Sequence, residues 1–215
     1  MNVSLNYITD NLGFEASSIS LEDLTKRVGA QLGAIEDVIK MAPKWQGAVV
    51  AKVIKCDQHP NADKLHVCLV DDGGVTKNIE RNNDGFVTVV CGAPNVHDGM
   101  LVVWLPPGAT VPATFSDKEP FVLSPKELIG ILSNGMLASP SELGLSNDHD
   151  GILELTNKDF ANLPAPGTPL VDLLGLNDVI LDLENKMFTH RPDCFGHIGV
   201  AREFAGICGQ AFKSP

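Results

Sequence analysis

The sequence predicts a mixed α+β protein: a small five-stranded β-barrel inserted into an α/β domain built from both chain ends. Three observations point there. Residues 44 to about 155 carry short runs of β-branched residues separated by turn markers, the pattern of a sheet sandwich or small barrel. The flanking stretches, 1–43 and 156–209, mix helical periodicity with single strand-like runs. Each flank alone lies near the lower limit for an independent core without disulfides or metal, so the economical arrangement packs the two ends on each other. The rival arrangement is three consecutive sub-domains.

The first flank reads as helix, helix, strand. Ser20-Leu21-Glu22-Asp23 is a capping box, in which hydroxyl and carboxylate satisfy free amides reciprocally. Leu21, Leu24, Val28, Leu32 and Ile35 then recur at helical spacing, and Gly33 is a plausible helix end. Ile35–Met41 is extended. In the middle part the strands are Gly47–Cys56, Leu65–Asp71, Phe86–Cys91, Met100–Leu105, Leu128–Ala138 and Gly151–Leu155. Turns fall at His59-Pro60-Asn61, Asp72-Gly73-Gly74, Gly92-Ala93-Pro94-Asn95 and Pro106-Pro107-Gly108. A second capping box, Ser139-Pro140-Ser141-Glu142, opens a short helix through Leu143. Five or six short strands plus one small helix is the inventory of an OB-fold, a partly open five-stranded barrel. In the last flank Val179–Leu183 alternates like a strand. Asp193–Cys208 reads as a helix with Ile198, Ala201, Ala205 and Cys208 on one face, ended by Gly209.

Composition restricts the chemistry. With 44% hydrophobic and 20% charged residues in 215, the chain has the make-up of an ordinary globular protein. No apolar run approaches the ~18 residues of a membrane span. Met1–Tyr7 lacks the basic region and apolar core of a signal peptide, so the expected location is cytoplasmic. The cysteines at 56, 68, 91, 194 and 208 contain no CxxC, and no histidine stands at ligand spacing with a cysteine pair. Reduced thiols and no metal site are therefore expected. No phosphate-binding GxxxxGK[ST], no HExxH and no GxSxG occurs. Asp182 and Glu184 share a strand face as solvated charges, and Asp193 reads as a helix cap beside an Arg191 ion pair at a domain interface. No catalytic residue is assigned.

His59-Pro60-Asn61-Ala62-Asp63-Lys64-Leu65-His66-Val67-Cys68 is similar to the signature of tRNA-binding OB domains attached to several synthetases. Downstream stand Val90-Cys91-Gly92-Ala93-Pro94-Asn95-Val96, Pro107-Gly108-Ala109 and Ser133-Asn134-Gly135-Met136-Leu137. Glu142-Leu143-Gly144-Leu145 and His149-Asp150-Gly151-Ile152-Leu153 follow. That order resembles the bacterial phenylalanyl-tRNA synthetase beta subunit. So do Val3-Ser4-Leu5-Asn6, Arg191-Pro192-Asp193-Cys194 and Gly199-Val200-Ala201-Arg202-Glu203 in the flanks. The sequence departs from the family pattern at Ile129, where a basic residue is common, at Ala138 and His190, and in the longer Gly73–Gly85 loop. The resemblance implies an N-terminal tRNA-binding and structural region of a longer subunit, with 210–215 beginning a downstream editing module. It also implies an alpha-subunit partner in an (αβ)₂ assembly, tRNA(Phe) as the nucleic acid, and neither membrane nor DNA. ATP and magnesium belong to the whole enzyme, and this stretch alone is expected to be non-catalytic and to carry no cofactor.

The residues also suggest where RNA would touch. Pro60 and Asn61 favour a tight turn between the first two barrel strands, with Asp63 accepting backbone amides. Lys64 projects at the strand start and can supply a point charge to a phosphate. Lys52, Lys55, Lys77 and Arg81 are the other cations near this turn and on the long loop. Yet the net charge is −11, and between residues 40 and 155 acidic side chains outnumber basic ones fourteen to nine. Phosphate neutralisation drives non-specific affinity, so RNA binding is expected to be weak. Trp104 reads as core, and Trp45 as either core or base platform. The alternatives are a barrel serving mainly as a protein docking surface and a stand-alone tRNA-binding chaperone.

Overall fold

The computed structural model describes residues 1–12 and 19–214. In chain order the elements are β1 (Asn2–Ser4), α1 (Leu5–Leu12), α2 (Leu21–Gln31), β2 (Ile35–Lys40), β3 (Val49–Gln58), β4 (His66–Asp71), β5 (Val87–Cys91) and β6 (Leu101–Leu105). They continue with β7 (Lys126–Leu128), β8 (Ile131–Ser133), β9 (Met136–Leu137), α3 (Leu170–Leu173), β10 (Val179–Leu183) and α4 (His197–Ile207). Two units result: residues 1–41 with 177–215, and residues 42–176.

The first unit is a three-stranded antiparallel sheet, ordered β1-β10-β2, with helices α1, α2 and α4. Val3 pairs with Leu181, and Leu181 with Val38. Val3, Ile8, Leu24, Val28, Leu181, Phe188, Val200 and Phe204 form its core. Ser20 caps α2 by accepting the Asp23 amide at 3.1 Å, whereas the Asp23 carboxylate turns to Arg27 at 2.8 Å and leaves the reciprocal half of the box unmade. Gly33 follows the α2 cap residue Leu32, and a Cβ there would stand 3.2 Å from the Glu184 carbonyl oxygen, so close approach also favours glycine. The predicted helix from Asp193 is shorter. A 3-10 turn at Pro192–Phe195 precedes α4, and Gly196, not Asp193, is its N-cap residue. Its buried face is Val200, Ala201, Phe204 and Ala205, while Ile198 is exposed.

The second unit is a nearly closed five-stranded antiparallel barrel, ordered β5-β4-β3-β6-β9, with an OB-like fold. Its interior alternates along the strands: Val49, Ala51 and Val53; Cys68 and Val70; Val87 and Val89; Val102 and Trp104. An irregularity between Val53 and Lys55 shifts the β3 register, and Asp98 accepts the Cys56 amide there at 2.6 Å.

Three expectations change here. The predicted strand Leu128–Ala138 is three short pieces, because Ile129 and Gly130 (φ 49° and 84°) make a two-residue reverse turn and Gly135 (φ 89°) breaks the run again. Ser139–Glu142 keeps its capping hydrogen bonds but makes only a turn, ended by Gly144 at φ 64°. Gly151–Leu155 contributes an isolated bridge from Glu154 to Val102 in place of a strand. The downstream boundary also differs, lying at 176/177 and not 155/156. Residues 167–170 hydrogen-bond β3 and its lead-in through Gly167 N to Val50 O, Val50 N to Thr168 O and Leu170 N to Ala48 O.

Candidate functional site

The turn between β3 and β4 is organised by His59, which is buried. Its Nδ1 accepts the Asn61 amide at 3.1 Å, which assigns the ring proton to Nε2, facing the Leu128 carbonyl at 3.3 Å. The His59 amide donates to Leu65 O at 2.9 Å, and Gln58 Nε2 donates to Ala62 O and Leu65 O. Pro60 and Asn61 are exposed at the bend. Asp63 is exposed and takes none of the turn amides expected of it; the histidine ring does that work.

Ser133-Asn134-Gly135 closes the barrel. Ser133 Oγ accepts the Val90 amide at 3.0 Å and donates to Gly135 O at 3.2 Å. The Asn134 amide donates to Thr88 O, and Trp104 Nε1 donates to Asn134 O at 3.0 Å. Beside this seam, Asn95 acts as a substitute peptide: its Nδ2 donates to Ile152 O at 2.9 Å and its Oδ1 accepts the Ile152 amide at 3.0 Å. A Cβ at Gly151 would stand 2.5 Å from Asn95 Oδ1, so the clamp requires glycine. A groove of about 590 Å³ lies along this wall. It is lined by parts of 90–94, 121–128, 133–137, 139–142 and 149–152, so motifs far apart in sequence converge on it. Cys91, Lys126, Glu142, His149 and Asp150 are its titratable groups. Sequence reasoning missed this groove, since its lining is mostly small or apolar and only strand closure assembles it.

The five basic residues singled out from sequence fall on separate elements. Lys52 and Lys55 lie on the outer side of β3, opposite Asp71 and Leu69. Lys55 Nζ meets Asp57 at 2.5 Å, and the Asp57 hydrogen bond and charge push the lysine up from its ordinary value. Lys64 is exposed in the β3–β4 turn. Lys77 Nζ donates to Gly74 O at 3.3 Å on the loop before β5. Arg81 is held within that loop: it meets the fully buried Asp72 carboxylate at 2.7 and 3.0 Å and also donates to Thr76 O and Gly85 O. Burial alone would raise the Asp72 carboxyl, but the Arg81 guanidinium and Thr76 outweigh it and hold it at about 2. Both tryptophans are core. Trp45 Nε1 donates to Leu143 O at 2.8 Å, which resolves its two readings, and Phe121 is the more exposed aromatic, on the groove rim.

In the other unit, Asp193, Cys194 and Glu203 form the one cluster with ligand-like spacing among the described residues. Arg191 holds Asp193 at 2.8 Å and Glu203 at 2.5 Å, and Arg202 holds Asp193 at 2.6 Å. These arginine hydrogen bonds, Arg191 first, keep the Asp193 carboxyl well below the usual carboxylate range. The Arg191 pair thus lies within this unit. Among the described residues no helix is long and apolar enough to cross a membrane.

Comparison with known proteins places these motifs in a family. The tRNA_bind family of tRNA binding domains matches residues 48–161, which span the barrel and its clamp. The phenylalanine–tRNA ligase beta subunit of Synechococcus sp. strain CC9605 is 38% identical over 91% of this chain. That of Rhodopseudomonas palustris is 37% identical over 100% of it. The chain spans 22% and 24% of their respective lengths. With the His59 turn, the Ser133 seam and the Asn95 clamp all inside the matched region, the chain belongs to the tRNA_bind family.

Proposed function

We propose that this chain is the tRNA-binding and structural region of a phenylalanine–tRNA ligase beta subunit, supporting aminoacylation of tRNA(Phe) without performing chemistry itself. The observation that carries the reading is the family match over the barrel together with beta-subunit likeness across the flanks. On this reading an alpha subunit completes the enzyme in an (αβ)₂ assembly in the cytoplasm. ATP and magnesium belong to the remainder of that enzyme: the Asp193–Cys194–Glu203 cluster is already engaged by two arginines and does not fit a magnesium ion. The exposed Lys64 supplies a phosphate contact in the turn, with Lys52 a second cation at the far end of the β3–β4 ladder, and Lys55 and Lys77 weaker because acidic or carbonyl oxygens already face them.

The experiment is titration of labelled tRNA at two salt concentrations, with wild type and Lys64→Glu. The expected affinity is in the range ~10⁻⁴–10⁻⁶ M and falls steeply with salt. The variant binds more weakly with an unchanged fold, and the chain alone catalyses no phenylalanine-dependent pyrophosphate exchange. Equal binding by the variant, or insensitivity to salt, removes this turn as the contact. The acidic balance of the barrel and the largely apolar groove would then favour the second reading, a docking surface for protein.

A further inference from the structure

The β3–β4 ladder sets Cys56 directly opposite Cys68, with the two sulfurs 3.7 Å apart. The residues are twelve positions apart in sequence, on either side of the His59 turn. Cys68 is fully buried and Cys56 half-buried, its thiol donating to Val96 O at 3.9 Å, so Cys56 is the less enclosed of the two. Directly opposed residues of an antiparallel pair have Cβ separations of ~4.5–5.5 Å against ~3.5–4.5 Å in a disulfide, so a small approach of the two strands together with rotation of the sulfurs closes the bond. Cys194 and Cys208 belong to the other unit.

We propose that Cys56 and Cys68 form a dithiol modification site that takes a disulfide-class oxidant and closes to an internal bond. The Cys56 thiolate, its proton released to solvent, attacks one sulfur of glutathione disulfide. The S–S bond breaks, one glutathione thiolate leaves, and a mixed disulfide forms on Cys56. Cys68 then loses its proton and attacks the Cys56 sulfur, expelling the second glutathione. Two protein thiols are oxidised to one disulfide, and one glutathione disulfide is reduced to two thiols. Burial, foremost, with Asp98 and Asp57 nearby, pushes the Cys56 thiol up, and the hydrogen bond from Cys68 partly offsets this. Burial pushes the Cys68 thiol up further still, so both steps are slow at neutral pH, the second more so, and both quicken as pH rises. The closed bond fastens the ladder two residue pairs away from the turn that carries Lys64.

The test incubates the 215-residue chain in glutathione buffers of graded oxidation at pH 8, below its unfolding transition. After acid quenching and alkylation, peptides are mapped without reduction. The expected product is one bond, Cys56 to Cys68, a mass lower by two hydrogens, and alkylated Cys91, Cys194 and Cys208. In fully reducing buffer all five cysteines alkylate after unfolding. Cys68→Ala stops at a glutathione adduct on Cys56, and Cys56→Ser takes no adduct at either position. The wild-type map decides the matter even where a variant fails to fold. Five alkylated thiols at every degree of oxidation, a bond joining a different pair, or a wild-type adduct at Cys56 that never resolves would overturn the proposal.

Discussion

Gly135 carries two demands at once. Its φ of 89° lies in the left-handed region, and a Cβ would overlap the Leu105 carbonyl oxygen and crowd Trp104 Nε1. Gly135→Ala is therefore expected to cost about 3 kcal/mol, by backbone strain and by displacing the seam. Chemical denaturation of the variant reads this directly, and a loss within error of zero would show that the seam relaxes freely. Asp72 yields a pH dependence. Its folded-state value of about 2 lies below the ordinary 3.8, so its contribution of about 2 kcal/mol is complete above about pH 4 and is lost as pH falls toward 2. Removing the partner reverses the sign. In Arg81→Met the buried carboxylate stands unpaired, so the variant loses about 3–5 kcal/mol at pH 7. It recovers part of that in acid, where the carboxyl protonates. Urea unfolding at pH 3 and pH 7 checks both directions.

Among elements, the β7–β8 hairpin is the most informative. Its two turn residues both have positive φ, the geometry favoured by Asn-Gly and unfavourable for β-branched Ile129, which is also exposed. Ile129→Asn is expected to raise stability by about 1 kcal/mol, since asparagine enters this region at lower cost and little buried surface is lost. A urea midpoint that does not rise counts against it. The same turn explains why the sequence led to one long strand here: apolar Leu128-Ile129 carries no turn chemistry, and only tertiary pairing forces the reversal. Strands β3 to β6 were legible because β-branched runs end at Gly, Pro and Asn, and β10 was legible to the residue. The three-residue β1 carries too short a pattern to detect. The groove and the Cys56–Cys68 pair were not legible, because both depend on strand register, which places distant residues side by side without leaving a local signal. Charge guided the choice of Arg81 as an RNA contact, but charge alone does not distinguish a free guanidinium from one held by a buried carboxylate.

At the scale of the whole chain, the position of the 176/177 boundary has a measurable consequence. A fragment 42–176 retains the hydrogen bonds from 167–170 to β3 and its lead-in and the fully buried Leu170, whereas 44–155 loses both. The longer fragment is expected to unfold cooperatively and the shorter one to unfold at lower denaturant or to aggregate; equal midpoints would make the boundary immaterial. The first unit has the opposite property. Its central strand, β10, is flanked by β1 and β2 from the opposite end of the chain. During synthesis on the ribosome, residues 1–41 emerge about 135 residues before residue 177, a wait of roughly 7–27 s at ~5–20 residues per second. Throughout that interval Val3, Ile8, Leu24 and Val28 have no Leu181 or Phe204 to cover them. The barrel's own closing residues, 167–170, emerge only at the end of that wait, so the nascent chain carries an uncovered apolar leader for as long as the barrel is being made. That leader is the segment on which a ribosome-associated chaperone would be expected to act.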